Sequence, residues 1–400
     1  MAIIVQKFGG TSVANTTKIV NSVKKVKDEI TKGNKVVVVV SAMAGVTRQL
    51  VSFCSELCIL NSHSSLAEYD TTLSSGEIVT AALFALALQQ QEILSRSLQS
   101  WQVPIKTNTN FSKAIITNIN PKIICELLCQ NIVPVISGFQ GITDENRITT
   151  LGRGGSDITA VAIAAAINAE RCDIYTDVDG VFSADPRLVV DACKYLEITY
   201  TEMLEFSALG AKVIHPRAVQ IGMRYNVPIN IISSFSDKQG TIIKKINEEM
   251  EQPKITGVTY DKAIALVNIE FNVDDQYFLI LNRMVTSSVT IEHLIYQKER
   301  CIGIIISVSE LLKAEKIFNE LKKLSVINNY DINNNISLIS VIGYAIKNDQ
   351  LVFKEIITTI NEFKVLVLGI ITSAIKICVI LDKKDIEEIV IKLHNNLIKS

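Results

Sequence analysis

Up to about residue 235, short apolar runs alternate with longer segments whose apolar positions recur at helical spacing. The runs "IIVQKF" (3–8), "KVVVVVSA" (35–42), "IVPVIS" (132–137), "CDIYTD" (172–177) and "PINIISS" (228–234) predict strands. Near-continuous β-branched residues, as at valines 36–40, suit parallel strands buried on both faces. Between the first two runs, "TTKIVNSVKKVKDEITKG" (16–33) sets Ile19, Val20, Val23, Val26 and Ile30 on one stripe and stops at Gly33, which predicts an amphipathic helix. Strands and helices alternating in this order predict an open, mostly parallel sheet covered by helices.

The charged run "NEEMEQPK" (247–254) reads as a linker, and the pattern changes beyond it. All seven prolines lie at or before Pro253, and only Gly257, Gly303, Gly343 and Gly369 of the 18 glycines follow it, which sets the second half apart as a separate region. That half holds two strand-helix-strand cycles. One runs from "AIALVNIEFNV" through "DDQYFLILNRMVTSS" to "CIGIIISV", then the helix "SELLKAEKIFNELKKL"; the other runs from "ISLISVIGYAI" through "VFKEIITTINEF" to "AIKICVIL", then "KKDIEEIVIKLHNN". The asparagine-rich "NNYDINNN" separates them, so two small modules side by side are expected.

Composition narrows the classes. The 400 residues are 48 % hydrophobic and 20 % charged, a well-cored globular balance spread over two or three domains. A formal net charge of −1 supplies no overall basic field for nucleic acid or an acidic membrane. Only Ala2 to Val5 are apolar before Gln6 and Lys7, unlike an export signal. The stretch 365–381 is interrupted by Lys376 and falls short of the roughly 20 residues of a span. A soluble, cytoplasmic protein is expected. The pairs Cys54/Cys58 and Cys125/Cys129 lack the C-x-x-C spacing of a zinc site, and their spacing of four predicts structural thiols on buried helix faces.

Small and polar residues gather at the carboxyl ends of the predicted strands: Lys7 with Gly9 and Gly10, Ser41, Gly138, Thr176 and Asp177. Ligands of open α/β sheets bind along that edge. In "VQKFGGTSVAN" the lysine precedes the glycines, the reverse of a P-loop. "LGRGGSDITAVAIAAAINAE" (151–170) frees the backbone at Gly152, Gly154 and Gly155. Ser156 or Asp157 can cap the following helix, whose N-terminus offers amides to an anion, and Arg153 can hold a carboxylate. "SSGEIVTAAL" (74–83) reads as a small-residue turn with Glu77 heading a helix, where the dipole also favours a carboxylate. "YTDVDGVFSADPR" (175–187) lacks the spacing of a calcium loop and reads as a turn-rich connection open to nucleotide contacts. In "GAKVIHP", His215 stands beside Pro216 at a helix start and reads as structural.

"KFGGTSV" (7–13), "VSAMAGVT" (40–47), "SGE" (75–77), "LGRGGSD" (151–157), "YTDVDGVFSADPR" and "GAKVIHPR" (210–217) stand in an order and spacing that resemble the aspartate kinases of the amino-acid kinase superfamily. The resemblance implies an α/β amino-acid-kinase-type catalytic domain (1–245), a mostly parallel open sheet with helices on both faces. A linker (246–262) and two small α+β, ACT-like modules (263–330 and 331–400) would follow, the first possibly completed by the C-terminal segment. The implied reaction is phosphorylation of the side-chain carboxylate of L-aspartate by ATP, giving 4-phospho-L-aspartate on the way to diaminopimelate, lysine, threonine and methionine. Magnesium would arrive mainly on the ATP phosphates, with no dedicated protein metal site. Carried over position by position, Lys7 and Asp157 are catalytic, the lysine at the transferring phosphoryl group and the aspartate orienting it. Phe8, Gly9, Gly10, Thr176, Asp177, Phe182, Asp185, Arg187 and Lys212 surround the nucleotide. Glu77 takes the substrate ammonium and Arg153 its α-carboxylate, with Ser41, Thr47, Gly154 and Gly155 nearby. Phe182 stands where many relatives carry Tyr. The implied partners are L-aspartate and ATP, without nucleic acid or membrane, in a homodimer or larger assembly. A different carboxylate or nucleotide acceptor within the superfamily, or a silent amino-acid sensor, are the competing readings.

Effector pockets of such modules would form around a Pro-Gly pair after the first strand. Here "NVDDQYFLI" (272–280) has none. Where relatives tend to have Gly, Met, Pro and Gly, "VIGYAIKNDQLVF" (341–353) has Ala345, Ile346, Gln350 and Leu351. "TSAIKICVI" carries Ala374 in place of an acid. We therefore expect millimolar lysine and threonine, singly or together, to inhibit turnover weakly or not at all; strong inhibition in a turnover assay would contradict this.

Overall fold

The five expected strands all form, and they order themselves around the first of them. In a computed structural model that describes every residue except 61, 212, 247–253, 274–275, 288, 299, 345, 347–348 and 399–400, the chain divides into two compact units. The first comprises Met1–Phe182, Cys193–Ala208 and Lys212–Glu248; the second comprises Ser183–Ala192, Leu209–Ala211 and Glu249–Ser400.

The first unit is built on an eight-stranded sheet in the order Glu197–Thr199, Thr241–Lys244, Ile229–Ser233, Arg171–Thr176, Ile3–Phe8, Lys35–Val40, Val133–Ser137, Ser95–Leu98. All neighbours are parallel except Ile229–Ser233 with Thr241–Lys244. The chain leaves Ile3–Phe8 towards Lys35–Val40 on one side and later fills Arg171–Thr176 on the other. The carboxyl end of Ile3–Phe8, with Lys7 beside the glycines, is therefore the place where the winding reverses and a crevice opens. Helix Thr16–Thr31 starts at Asn15, whose side chain accepts from the Lys18 amide, and buries Ile19, Val23 and Val26 against Val36, Val38 and Phe84. Val20 is 46 % exposed, so the buried stripe is narrower than the sequence pattern suggested.

Two expectations change here. Residues 74–76 do not form a turn: one helix runs from His63 to Gln89, capped by Ser62 and Ser65. The hydroxyls of Thr71, Thr72, Ser74 and Ser75 donate to carbonyls three or four residues back, at 2.7–2.9 Å, so a run of turn-forming residues satisfies itself inside the helix. This helix is long and apolar enough to cross a membrane by length and composition, yet half of its most apolar window is buried in the structure. The cysteine pairs do not share buried faces either: Cys54 is buried, but Cys58, Cys125 and Cys129 are exposed.

The second unit holds two four-stranded antiparallel sheets. One, in the order His293–Lys298, Cys301–Ser307, Ile264–Phe271, Ile327–Asn333, packs with helices Gln276–Thr286 and Leu311–Lys323. The other is ordered Lys254–Asp261, Ile336–Tyr344, Lys376–Asp382, Val367–Ser373 and packs with Gln350–Glu362 and Ile386–Ile398. The segment 254–261, expected in the linker, is thus a strand. Its apolar alternation is interrupted by a register shift between Ile255 and Gly257, which hid it from a period-two reading. The nesting differs accordingly: 264–333 is one continuous module, and the C-terminal segment completes the module opened by Lys254–Asp261. The supposed separator "NNYDINNN" contributes most of the edge strand Ile327–Asn333, where asparagines tolerate an exposed face. Residues 183–192, expected in the catalytic domain, place Ala184 and Val189 in the core with Val258 and Ile339. Gln350 and Leu351, which replace the relatives' Pro-Gly, open a helix capped by Asp349, and Leu351 is 77 % exposed. Ala345 lies outside the described residues.

Candidate active site

Charge gathers at the carboxyl edge of the first unit's sheet. A cavity of about 660 Å³ opens there, lined among others by Lys7, Gly10, Ser41, Thr47, Glu77 and the loop 152–157. Lys7 leaves the end of Ile3–Phe8 and its Nζ lies 2.6 Å from Asp157 Oδ1, both side chains about nine-tenths buried. Asp157 sits in the first turn of helix Gly155–Ala166. The cap of that helix is Gly154, at φ +69°, in place of the Ser156 or Asp157 that the sequence suggested. A Cβ on Gly154 would fall 2.3 Å from His215, whose Nδ1 accepts from the Arg217 amide at its own helix start. His215 is therefore structural, as expected, and burial pushes its pKa down.

Glu77 is only half satisfied. It is 3 % exposed, and Oε1 accepts from the Ala42 amide at 3.0 Å while Oε2 has no hydrogen-bond partner among the described residues. The contact requires the helix to lie directly on the loop after Lys35–Val40: a Cβ on Gly76 would stand 2.8 Å from that of Ala42. Burial raises the Glu77 carboxyl from 4.5 to about 7, against the pull of the Ala42 amide. The helix-dipole reading fails, because Glu77 lies mid-helix.

The remaining expected residues divide. Ser41, Thr47, Gly154, Gly155 and Arg153 line the cavity, Arg153 exposed and without a hydrogen bond or ion pair among the described residues. Phe8 contributes no side chain: its ring is fully buried, stacked 4.7 Å from Tyr175 and 5.1 Å from Phe84. The Gly9 amide, expected at the phosphates, already donates to the Tyr175 carbonyl at 3.2 Å. The Gly155 and Asp157 amides are likewise taken by the Gly152 and Gly154 carbonyls, so less of the helix N-terminus is open to an anion than expected. Thr176 ends the strand beside that of Lys7 and Asp177 follows it, the Thr176 hydroxyl 3.2 Å from Asp177 Oδ1, and Phe182 is half-buried, bridged to Lys194. Asp185 and Arg187 fall in the second unit, where they pair with each other at 2.8 Å. Lys212 lies outside the described residues.

Four residues escaped the sequence reading. Asp70, two helical turns before Glu77 on the same face, is fully buried and accepts from the Ser112 amide, the Thr150 amide and the Thr150 hydroxyl at 2.7–2.8 Å. Ser112 and Thr150 both line the cavity. Arg217 donates to the Leu151 and Ala114 carbonyls at 2.6 and 2.8 Å. Reading the helix as starting at 63 would have exposed the Asp70–Glu77 spacing; nothing in the sequence signals the partners of Arg217.

Residues 2–233 match the amino acid kinase family. Over 398 residues the chain is 43 % identical to an aspartokinase of Rickettsia felis, covering 99 % of each. The chain belongs to the amino acid kinase family, among its aspartokinases. It is also 37 % identical over 403 residues to the aspartokinase of Geobacillus stearothermophilus, covering 98 % of this chain and 97 % of the relative. Its fold resembles the crystal structure of E. coli aspartokinase III in complex with aspartate and ADP, with a TM-score of 0.81 over 99 % of each chain at 24 % identity. The motifs KFGGTSV, VSAMAGVT, SGE and LGRGGSD contribute residues to the cavity's lining.

The raised Glu77 carboxyl has a stability consequence. A carboxyl whose folded value exceeds its unfolded one favours the folded state while neutral. Its burial penalty is therefore absent below pH 4.5, grows as pH rises and is complete above about 7. Glu77→Gln keeps an acceptor for Ala42 without the charge. Its melting temperature relative to wild type should rise between pH 5 and pH 8; an unchanged difference would contradict a charge left unpaired.

Proposed function

We propose that the chain transfers the γ-phosphoryl group of ATP to the side-chain carboxylate of L-aspartate, forming 4-phospho-L-aspartate at the head of diaminopimelate, lysine, threonine and methionine synthesis. The observation that carries the reading is one cavity holding, among the described residues, a buried carboxylate oxygen and a guanidinium without partners beside a paired lysine. These complement an ammonium, an α-carboxylate and a phosphoryl group. Glu77 Oε2 receives the ammonium, which replaces its missing partner, and Arg153 receives the α-carboxylate with a two-pronged fork. Ser41 and Thr47 border the same space.

The side-chain carboxylate of aspartate, with a pKa of about 3.9, is already ionised near neutrality, so the nucleophile needs no general base. What the transfer needs is alignment and neutralisation of charge as the phosphoryl group passes. Lys7 supplies the positive charge, and Asp157 holds its ammonium in place. Gly10 lets the backbone approach closely; a Cβ there would meet the Ala42 carbonyl at 2.9 Å. Thr176, Asp177 and Phe182 are assigned to the nucleotide. Magnesium held on the ATP phosphates would supply further neutralisation there.

With ATP, magnesium and a panel of amino acids, trapping of acyl phosphate as hydroxamate should give product from L-aspartate. Lys7→Ala should lower that rate about 10²–10³-fold. Product from another amino acid instead of aspartate would overturn the substrate, and a variant within a few-fold of wild type would remove Lys7 from the mechanism.

The protein works in the cytoplasm as a homodimer or larger assembly, with no nucleic-acid or membrane partner. The edge strands His293–Lys298 and Val367–Ser373 support this, since each carries a row of backbone groups that a second copy can cover. Light scattering at micromolar concentration should give at least twice the 44.1 kDa of one chain; a monomer mass would contradict it.

A further inference from the structure

The glycine loop that carries Arg153 is gripped by two oppositely charged side chains, Asp70 and Arg217, to which the motifs assign no role. On one side, Asp70 accepts from the Ser112 amide at 2.8 Å and from the amide and hydroxyl of Thr150, both at 2.7 Å. On the other, the Arg217 guanidinium spans the Leu151 carbonyl at 2.6 Å and the Ala114 carbonyl at 2.8 Å. The two gripped segments also bond directly, Ala114 amide to Thr150 carbonyl at 2.9 Å. Ser112 is held at φ +67°, a left-handed conformation that a serine adopts rarely and that the Asp70 bond helps to keep. The Ser112 carbonyl in turn lies where a Cβ on Gly152 would come within 3.0 Å, so the position of 112 fixes that of 152. Arg153 follows immediately.

We propose that Asp70 and Arg217 are positioning residues for the amino-acid substrate: together they fix the segments 112–114 and 150–152, and through them the direction of the Arg153 guanidinium. The inference rests on the reading of Arg153 as the α-carboxylate acceptor. The two Thr150 bonds to Asp70 tie the Arg153 loop to the helix that carries Glu77 seven residues later. The spacing between the substrate's two anchors is therefore set by a buried carboxylate that touches neither end of the substrate. Arg217 closes the frame from the opposite side with a planar fork across two carbonyls, a shape an ammonium lacks.

The test is a double-mutant cycle on the steady-state constants of the full chain, with thermal melting of each variant alongside. Arg217→Lys keeps the charge but loses the fork; Asp70→Asn keeps the size but presents an amide to backbone amides. Each should raise KM for aspartate about tenfold or more while changing kcat and KM for ATP by less than about threefold, as expected of a displaced binding group. In an Arg153→Ala background the same substitutions should add nothing further to KM for aspartate. If Arg153→Ala alone raises that constant and the clamp substitutions leave it unchanged, or add to it independently, the clamp is overturned and the site reading stands. If Arg153→Ala leaves it unchanged, the site reading falls and the inference with it. Should Asp70→Asn fail to fold, Arg217→Lys carries the test; failure of both to fold would assign the pair to the fold alone and overturn the proposal.

Discussion

The hydrogen bond from the Ala42 amide to Glu77, 3.0 Å long, is the constraint around which the catalytic unit is arranged. It holds one oxygen of a buried carboxylate and leaves the other bare. Sustaining that charge requires a helix and a strand-end loop to meet with almost no space between them, which is why a glycine precedes Glu77. The same helix, one heptad earlier, buries a second carboxylate, and the two meet opposite environments. Asp70 accepts three hydrogen bonds and is a structural anchor; Glu77 accepts one from the neighbouring loop and keeps one oxygen without a partner among the described residues.

Across the cavity the logic is reversed. Lys7 arrives with its partner already in place, 2.6 Å away in Asp157, so its charge is fixed before any ligand comes. Preorganised charge of this kind acts on a developing negative charge without reorganising. The parallel sheet makes this possible: the winding reverses at Ile3–Phe8, and the same strand end that presents Lys7 faces the helix start carrying Asp157. The unit thus joins one fixed ion pair, one vacant carboxylate and one unpaired guanidinium in a single concavity.

Much of this was legible in the sequence. The β-branched runs gave the five strands because burial on both faces leaves a continuous apolar signature. Lys7, Arg153 and Asp157 stood out because glycines beside charged residues at strand ends have few purely structural uses. The environment of Glu77 was not legible, because serine and threonine hydroxyls bonding back along a helix look like a turn when only composition is seen. Asp70 and Arg217 were missed for a related reason: their partners are main-chain groups, which any residue supplies. In the second half, Lys254–Asp261 reads as linker because its bulge breaks the alternation, and Ile327–Asn333 reads as a separator because its asparagines leave few apolar positions.

The vacancy on Glu77 is the central claim, and the pH dependence of kcat/KM for aspartate reports on it, since that ratio follows the ionisation of the free enzyme. The carboxyl must be ionised to take the ammonium, and burial places its titration at about 7. The ratio should therefore rise as pH increases through about 7 and level off above it. In Glu77→Gln it should be lower throughout and lose that inflection. A wild-type profile flat between pH 6 and 8, or an inflection that survives in Glu77→Gln, would contradict the account.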